Sequence, residues 1–119
     1  MLKKSILVVE DDQTIREALK LFLEVEGFDV LTAGDGQQAL DTLSRSPIKP
    51  RLILLDLMMP IMDGYEFLSQ RLQNSELKTI PVVAVSAFSS PSEELGAQGF
   101  VKKPVDLHDL MQFVERFCA

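Results

Sequence analysis

The chain is 119 residues long, room for one domain with a useful core, and its 46% hydrophobic and 25% charged residues are the balance of an ordinary globular protein. A net charge of −6 disfavours direct nucleic-acid binding, which asks for a basic face, and no run of Lys or Arg overturns this locally. Apolar runs are too short and too often broken by charge for membrane insertion, and the single cysteine, Cys118, allows no intrachain disulfide, which points to a reducing, cytoplasmic setting.

Two lysines, Lys3 and Lys4, lead into Ile6-Leu-Val-Val9, an apolar and largely β-branched run that reads as a buried strand. It is too short for a secretory signal and lacks a small-residue cleavage site. A helical pattern follows, with Ile15, Ala18, Leu19, Phe22 and Leu23 on one face. Thr14-Ile-Arg-Glu17 has capping-box form near its start, and Gly27 suits its stop. Phe28 to Ala33 reads as a second strand, ended by Gly34-Asp-Gly36. A helix through Ala39, Leu40 and Leu43 then runs until Pro47 and Pro50 break it. Arg51-Leu-Ile-Leu-Leu-Asp56 is another very apolar strand, closed by an acid, and Met58-Met-Pro-Ile-Met-Asp-Gly64 is a loop. The period turns helical from Tyr65 to Leu72. Pro81-Val-Val-Ala-Val-Ser86 is a fourth strand, and Phe100-Val101 a fifth, ended by Lys103-Pro104. Leu107, Leu110, Met111, Val114 and Phe117 line a closing helix, with Asp106 as its N-cap and Asp109 in its first turn.

Strands separated by helices predict a parallel sheet covered on both faces, the doubly wound α/β class. No linker, repeat or low-complexity segment interrupts the chain, so residues 1–119 read as a single domain. One stretch breaks the rhythm: Ala87 to Gly99, with Ser89-Ser-Pro-Ser92, leaves room for one or two helical turns.

In open α/β sheets, ligands bind beyond the carboxyl ends of the strands. Those ends carry Glu10-Asp11-Asp12, Asp56, Ser86 and Lys103, while the strands themselves are almost wholly apolar. Crowded carboxylates repel one another unless a cation neutralises them, and hard oxygen donors suit Mg²⁺. With Lys103 as a second cation and Ser86 as a hydroxyl donor, the set can neutralise a phosphoryl group in transit. Asp56, ending the central strand, is the best-placed nucleophile.

Four blocks in order, Ile6-Leu-Val-Val-Glu-Asp-Asp12, Leu55-Asp-Leu-Met-Met-Pro-Ile-Met-Asp-Gly64, Val83-Ala-Val-Ser-Ala87 and Gly99-Phe-Val-Lys-Lys-Pro104, resemble the receiver domains of two-component response regulators. The resemblance spans nearly the whole chain. It implies a flavodoxin-like five-stranded parallel sheet of order 2-1-3-4-5. It also implies Asp56 as phosphoacceptor, Asp11 as a direct Mg²⁺ ligand, Glu10 acting through water, and Met58 ligating through its backbone carbonyl. Ser86 matches the switch hydroxyl, Lys103 the family lysine, Lys103-Pro104 a cis peptide bond, and Asp63-Gly64 the turn beyond the site loop. Phe100 falls where many receivers carry a switch tyrosine. The partners implied are a histidine kinase or phosphotransfer protein and a downstream protein of unknown identity. The chain would be a signalling protein that modifies its own aspartate rather than a turnover enzyme, with no output domain of its own.

Several bland readings stand beside these. Asp12 reads as a solvated residue or helix cap, Lys102 and His108 as solvent-facing, and Cys118 as an incidental terminal thiol. Met58, Met59 and Met62 read as loop packing or partner contacts rather than a soft-metal site. A phosphorylation-independent scaffold on the same fold is the alternative function, although no core acid or lysine is missing. An aspartate-nucleophile phosphatase is disfavoured, since Met58 stands where its second acid belongs. A flavin carrier is disfavoured because Glu10-Asp-Asp12 would repel the phosphate. Seventeen positions separate Ser86 from Lys103, so the family's fourth helix is expected to be shortened within Phe88–Gln98. Bulky Met58 and Phe88, each two positions beyond a site residue, are expected to hinder attacking water.

Overall fold

The computed structural model describes residues 4–87 and 96–118. The apolar runs become β1 (Ser5–Val9), β2 (Asp29–Ala33), β3 (Leu52–Asp56), β4 (Val82–Ser86) and β5 (Gly99–Lys102). The amphipathic segments become α1 (Gln13–Val25), α2 (Gly36–Arg45), α3 (Gly64–Leu72) and α4 (Leu107–Phe117). All strand pairs are parallel, in the spatial order β2-β1-β3-β4-β5, the flavodoxin-like order expected. The expected shortening of the family's fourth helix, and Phe88 with it, falls mainly on residues 88–95 and lies outside the described residues.

Strand periodicity sorts the core into two layers. Leu7, Val9, Ile53, Leu55, Val82 and Ala84 face α2 and α3, where Ala39, Leu43, Phe67 and Leu68 meet them. Their neighbours Ile6, Val8, Leu52, Leu54, Val83 and Val85 face α1 and α4, against Leu19, Leu23, Leu110 and Val114. The central strands are therefore buried on both faces, which is why they read as unbroken apolar runs.

Each helix starts on an aspartate. Asp12, Asp35, Asp63 and Asp106 are the N-caps of α1 to α4, accepting the amides of Ile15, Gln38, Glu66 and Asp109 respectively. The capping box expected at Thr14 does not form the start of α1. The Asp12 carboxylate, two residues earlier, accepts the Ile15 amide at 3.0 Å and sets the boundary. At the other end Gly27, at φ +98°, lets the Phe28 amide turn back to the Leu23 carbonyl at 3.1 Å. Cys118 proves to be a core residue, buried with Leu110 and Val114, and the Lys4 ammonium donates to its carbonyl at 2.6 Å. Burial raises its thiol pKa, with the charges of Lys4 and Arg51 acting in the opposite direction.

Candidate functional site

Parallel strands joined by helices bring every strand's carboxyl end, and every helix N-terminus, to one edge of the sheet. Among the described residues seven acids that end or follow a strand or cap a helix gather there, and the helices use four of them as caps. Glu10, Asp11 and Asp56 remain, and one carboxylate oxygen from each can be chosen so that all lie within 4.8 Å of one another. Their placement follows from the backbone. The Glu10 amide extends the β1–β2 ladder to Ala33 O at 3.0 Å, and Leu57 does the same to Val85 O at 3.1 Å. Asp56 is thereby fixed as the last ladder residue of β3, opposite Val85.

Glu10 and Asp56 are each only 3% exposed, whereas Asp11 faces solvent. Such burial is costly for charge unless partners are supplied. The Lys103 ammonium stands 3.3 Å from Glu10 Oε1 and 3.3 Å from Asp56 Oδ2, bridging the two. Its own backbone N–H donates to Ser86 O at 2.8 Å, which ties the end of β5 to the end of β4. Ser86 is buried at that junction, and the Lys103–Pro104 peptide is cis, as the resemblance implies. The Met58 amide donates to Asp56 Oδ1 at 3.1 Å while its side chain points outward. Asp12, Lys102 and His108 are exposed, and Met59 and Met62 are buried in the loop's packing. Phe100 is half-buried against the α2–α3 layer of the core.

The electrostatics are unbalanced. Burial, reinforced by the hydrogen bond with Asp56 and by that group's charge, pushes the Glu10 carboxyl up to about 7. Burial alone would lower the Lys103 pKa, but the charges of Asp56 and then Glu10 outweigh it and raise it. One ammonium thus pairs with two carboxyl groups of a three-acid cluster. Converging hard oxygens with a charge deficit fit a divalent cation such as Mg²⁺ and give a soft metal nothing to hold.

The loop after Asp56 is set by two close approaches. A Cβ on Gly64 would stand 2.7 Å from Leu57 Cα, so only glycine lets α3 begin against the end of β3. Gly64 is therefore the first helical residue, one step past the Asp63 cap, rather than part of a free turn. On the other flank the Gly36 amide donates to Met62 O at 2.9 Å, and a Cβ there would lie 2.7 Å from Met62 Cγ. Sequence reading singled out neither this tether nor Arg16, whose guanidinium donates to Glu10 O at 2.8 Å. Beside Lys103 an apolar groove of 660 Å³ opens between α1 and the start of α4, lined by Ile15, Ala18, Phe22, Pro104 and Leu107 among others.

Residues 6–115 match the family described as "Response regulator receiver domain". Among curated proteins, the chain is 39% identical over 108 residues to the response regulator GtcR of Aneurinibacillus migulanus, covering 87% of this chain and 43% of that one. It is 33% identical over 118 residues to a 14.6 kDa protein of Leptolyngbya boryana, covering 95% and 88%. The chain spans about half the length of several of the curated relatives it matches, 46% in one case and 43% in another. Among solved structures, the signal receiver domain of a signal transduction histidine kinase from Syntrophus aciditrophicus superposes with a TM-score of 0.87 at 36% identity, covering 96% of this chain and 89% of that one. The chemotaxis protein CheY4 of Vibrio cholerae superposes with a TM-score of 0.88 at 28% identity, covering 98% and 99%.

Proposed function

Since the chain belongs to the response regulator receiver domain family, we propose that it is a phosphoacceptor switch of a two-component phosphorelay, taking a phosphoryl group onto Asp56 from a histidine kinase or a phosphotransfer protein. One observation carries the reading: a buried Asp56 shares Lys103 with a buried Glu10, in a cluster of three acids whose charge that lysine alone leaves unneutralised. Residues 1–119 act as one receiver domain.

In the transfer, the Asp56 carboxylate attacks the phosphorus of a phosphohistidine. An O–P bond forms as the N–P bond breaks, and the departing imidazole takes up a proton. Asp11 and Asp56 directly, Glu10 through water and the Met58 backbone carbonyl would hold Mg²⁺, which would supply the positive charge that admits a phosphoryl group to an acidic site. The Lys103 ammonium, already 3.3 Å from Asp56 Oδ2, neutralises charge on the transferred oxygens. Ser86, at the end of the neighbouring strand, donates its hydroxyl to one of them. The apolar groove beside Lys103 gives a protein donor a surface next to the reacting atoms. Phe100 brings no hydroxyl to any rearrangement that follows.

A phosphoryl mimic tests this reading. Mg²⁺ alone should raise the melting temperature, and beryllofluoride with Mg²⁺ should raise it further. Asp56→Asn should abolish the second increment. A wild-type chain that binds Mg²⁺ but ignores beryllofluoride would sink the phosphoacceptor reading and favour the constitutive scaffold.

A further inference from the structure

Three consecutive carbonyls of the turn after β1 converge on one residue. The Arg16 backbone N–H donates to Asp12 O at 2.9 Å. Its Nη1 donates to Glu10 O at 2.8 Å and makes a longer contact with Asp11 O at 3.4 Å. The same nitrogen lies beside the turn after β2, where a methyl group added to Gly34 would stand 3.5 Å from it. Among the described residues Arg16 forms no ion pair, so its charge is directed to main-chain oxygens rather than to a carboxylate.

The chemistry of that turn explains why it needs a brace. Glu10 and Asp11 must aim their carboxylates at the same place as Asp56, and like charges at such separations push apart. A charge-assisted bond to a carbonyl is stronger than one between neutral groups, and the rigid guanidinium can hold two acceptors at once. We propose that Arg16 is a positioning residue for the cation site, holding the Glu10 and Asp11 main chain so that both carboxylates converge on Asp56. This rests on the reading of those acids as the Mg²⁺ site. Acting through geometry, Arg16 strengthens cation binding even though it is itself a cation.

That sign separates the idea from its alternative. If Arg16 acted on the site only through its charge, removing it would make the acids more negative and tighten Mg²⁺ binding. If it served only the stability of α1, its loss would lower the melting temperature of the metal-free chain and leave Mg²⁺ affinity unchanged. The experiment is Mg²⁺ titration by calorimetry of the wild-type chain, Arg16→Met, Arg16→Lys and Lys20→Met, with metal-free melting temperatures measured alongside. Lys20→Met removes a cation from the same helix, one turn further on, as a control for charge. Arg16→Met should bind Mg²⁺ roughly five- to tenfold more weakly, the worth of about one ordinary intramolecular hydrogen bond. Arg16→Lys, which keeps the charge on a shorter side chain, should fall between. Lys20→Met should bind as the wild type does or slightly tighter. Unchanged or tighter binding by Arg16→Met, with the wild type binding normally, overturns the brace and leaves the metal reading intact. If Arg16→Met does not fold, Arg16→Lys decides by the same sign. A wild-type chain that binds no Mg²⁺ overturns the metal reading and the brace together.

Discussion

Glu10 should make the metal-free protein less stable as the pH rises, and Glu10→Gln should remove that dependence. A carboxyl whose folded pKa is raised keeps its proton in the fold after the unfolded chain has lost it. Between about 4.5 and about 7 the native state therefore holds the extra proton. Stability falls with pH across that window and levels off above it. Below the window both states are protonated and nothing is lost. Glu10 is buried, so solvent screening takes little from the effect, and the shift corresponds to roughly 3 kcal/mol at full ionisation. For a domain of this size that is on the order of 10 °C in melting temperature. Glutamine keeps the shape and one acceptor oxygen for the Asp12 amide or Lys103. Lys103 does not confuse the result: its raised pKa contributes stability that is complete below its unfolded value of 10.5 and is lost only above it. Denaturation in EDTA at several pH values from 5 to 8 measures the difference between the two proteins. Wild type and Glu10→Gln should converge near pH 5 and diverge by pH 8, with the variant more stable, and saturating Mg²⁺ should close the gap. Parallel curves at every pH would refute the reasoning.

Asp11→Asn should likewise stabilise the metal-free protein while weakening Mg²⁺ binding, and a melting temperature indifferent to metal in both proteins would contradict this. Ile61 has φ +67°, a conformation hostile to a β-branched residue, and its side chain is 82% exposed. Ile61→Gly should therefore raise stability by about 1 kcal/mol in urea denaturation, and a loss of stability would show that the side chain has a packing role. Gly36→Ala, forced against Met62, should cost about 1–3 kcal/mol. Gly34→Ala meets only movable side-chain atoms of Gln38 and Arg16 and should stay within about 1 kcal/mol in the same assay. Met58→Ala should shorten the phosphorylated lifetime, because Met58 follows the acceptor by two positions and its amide binds the Asp56 carboxylate, and an unchanged or longer lifetime would exclude that shielding.

The parts of the fold legible in sequence were those set by burial on both faces. β1, β3 and β4 carry apolar residues at every core position, so strand, layer and class follow directly from the run of residues. Strand order came through resemblance, since periodicity alone does not say which strand lies beside which. At the start of α1 both Thr14 and Asp12 offer capping chemistry, and Asp12, read as a solvated residue or helix cap, is the one that caps. Glu10, Asp11, Asp56, Ser86 and Lys103 could be brought to one edge in advance, because each ends a strand or follows one within two positions. What stayed hidden depends on how loops fold back. Arginine on an amphipathic helix reads as a solvated residue, and nothing local shows that Arg16 reaches over the preceding turn. Gly36 reads as a simple helix start until Met62 is seen against it. Cys118 looked incidental because the core cluster it joins also draws on strand residues far away in the chain, such as Ile6 and Leu52.

The most direct test of the central claim is covalent. The chain is incubated with Mg²⁺ and a small phosphodonor such as phosphoramidate, and its intact mass and peptide map are followed over time. One phosphoryl group should appear, localised to Asp56, absent in EDTA and absent in Asp56→Asn. A wild-type protein that binds Mg²⁺ and stays unmodified, or that is modified elsewhere with Asp56 intact, would contradict the account.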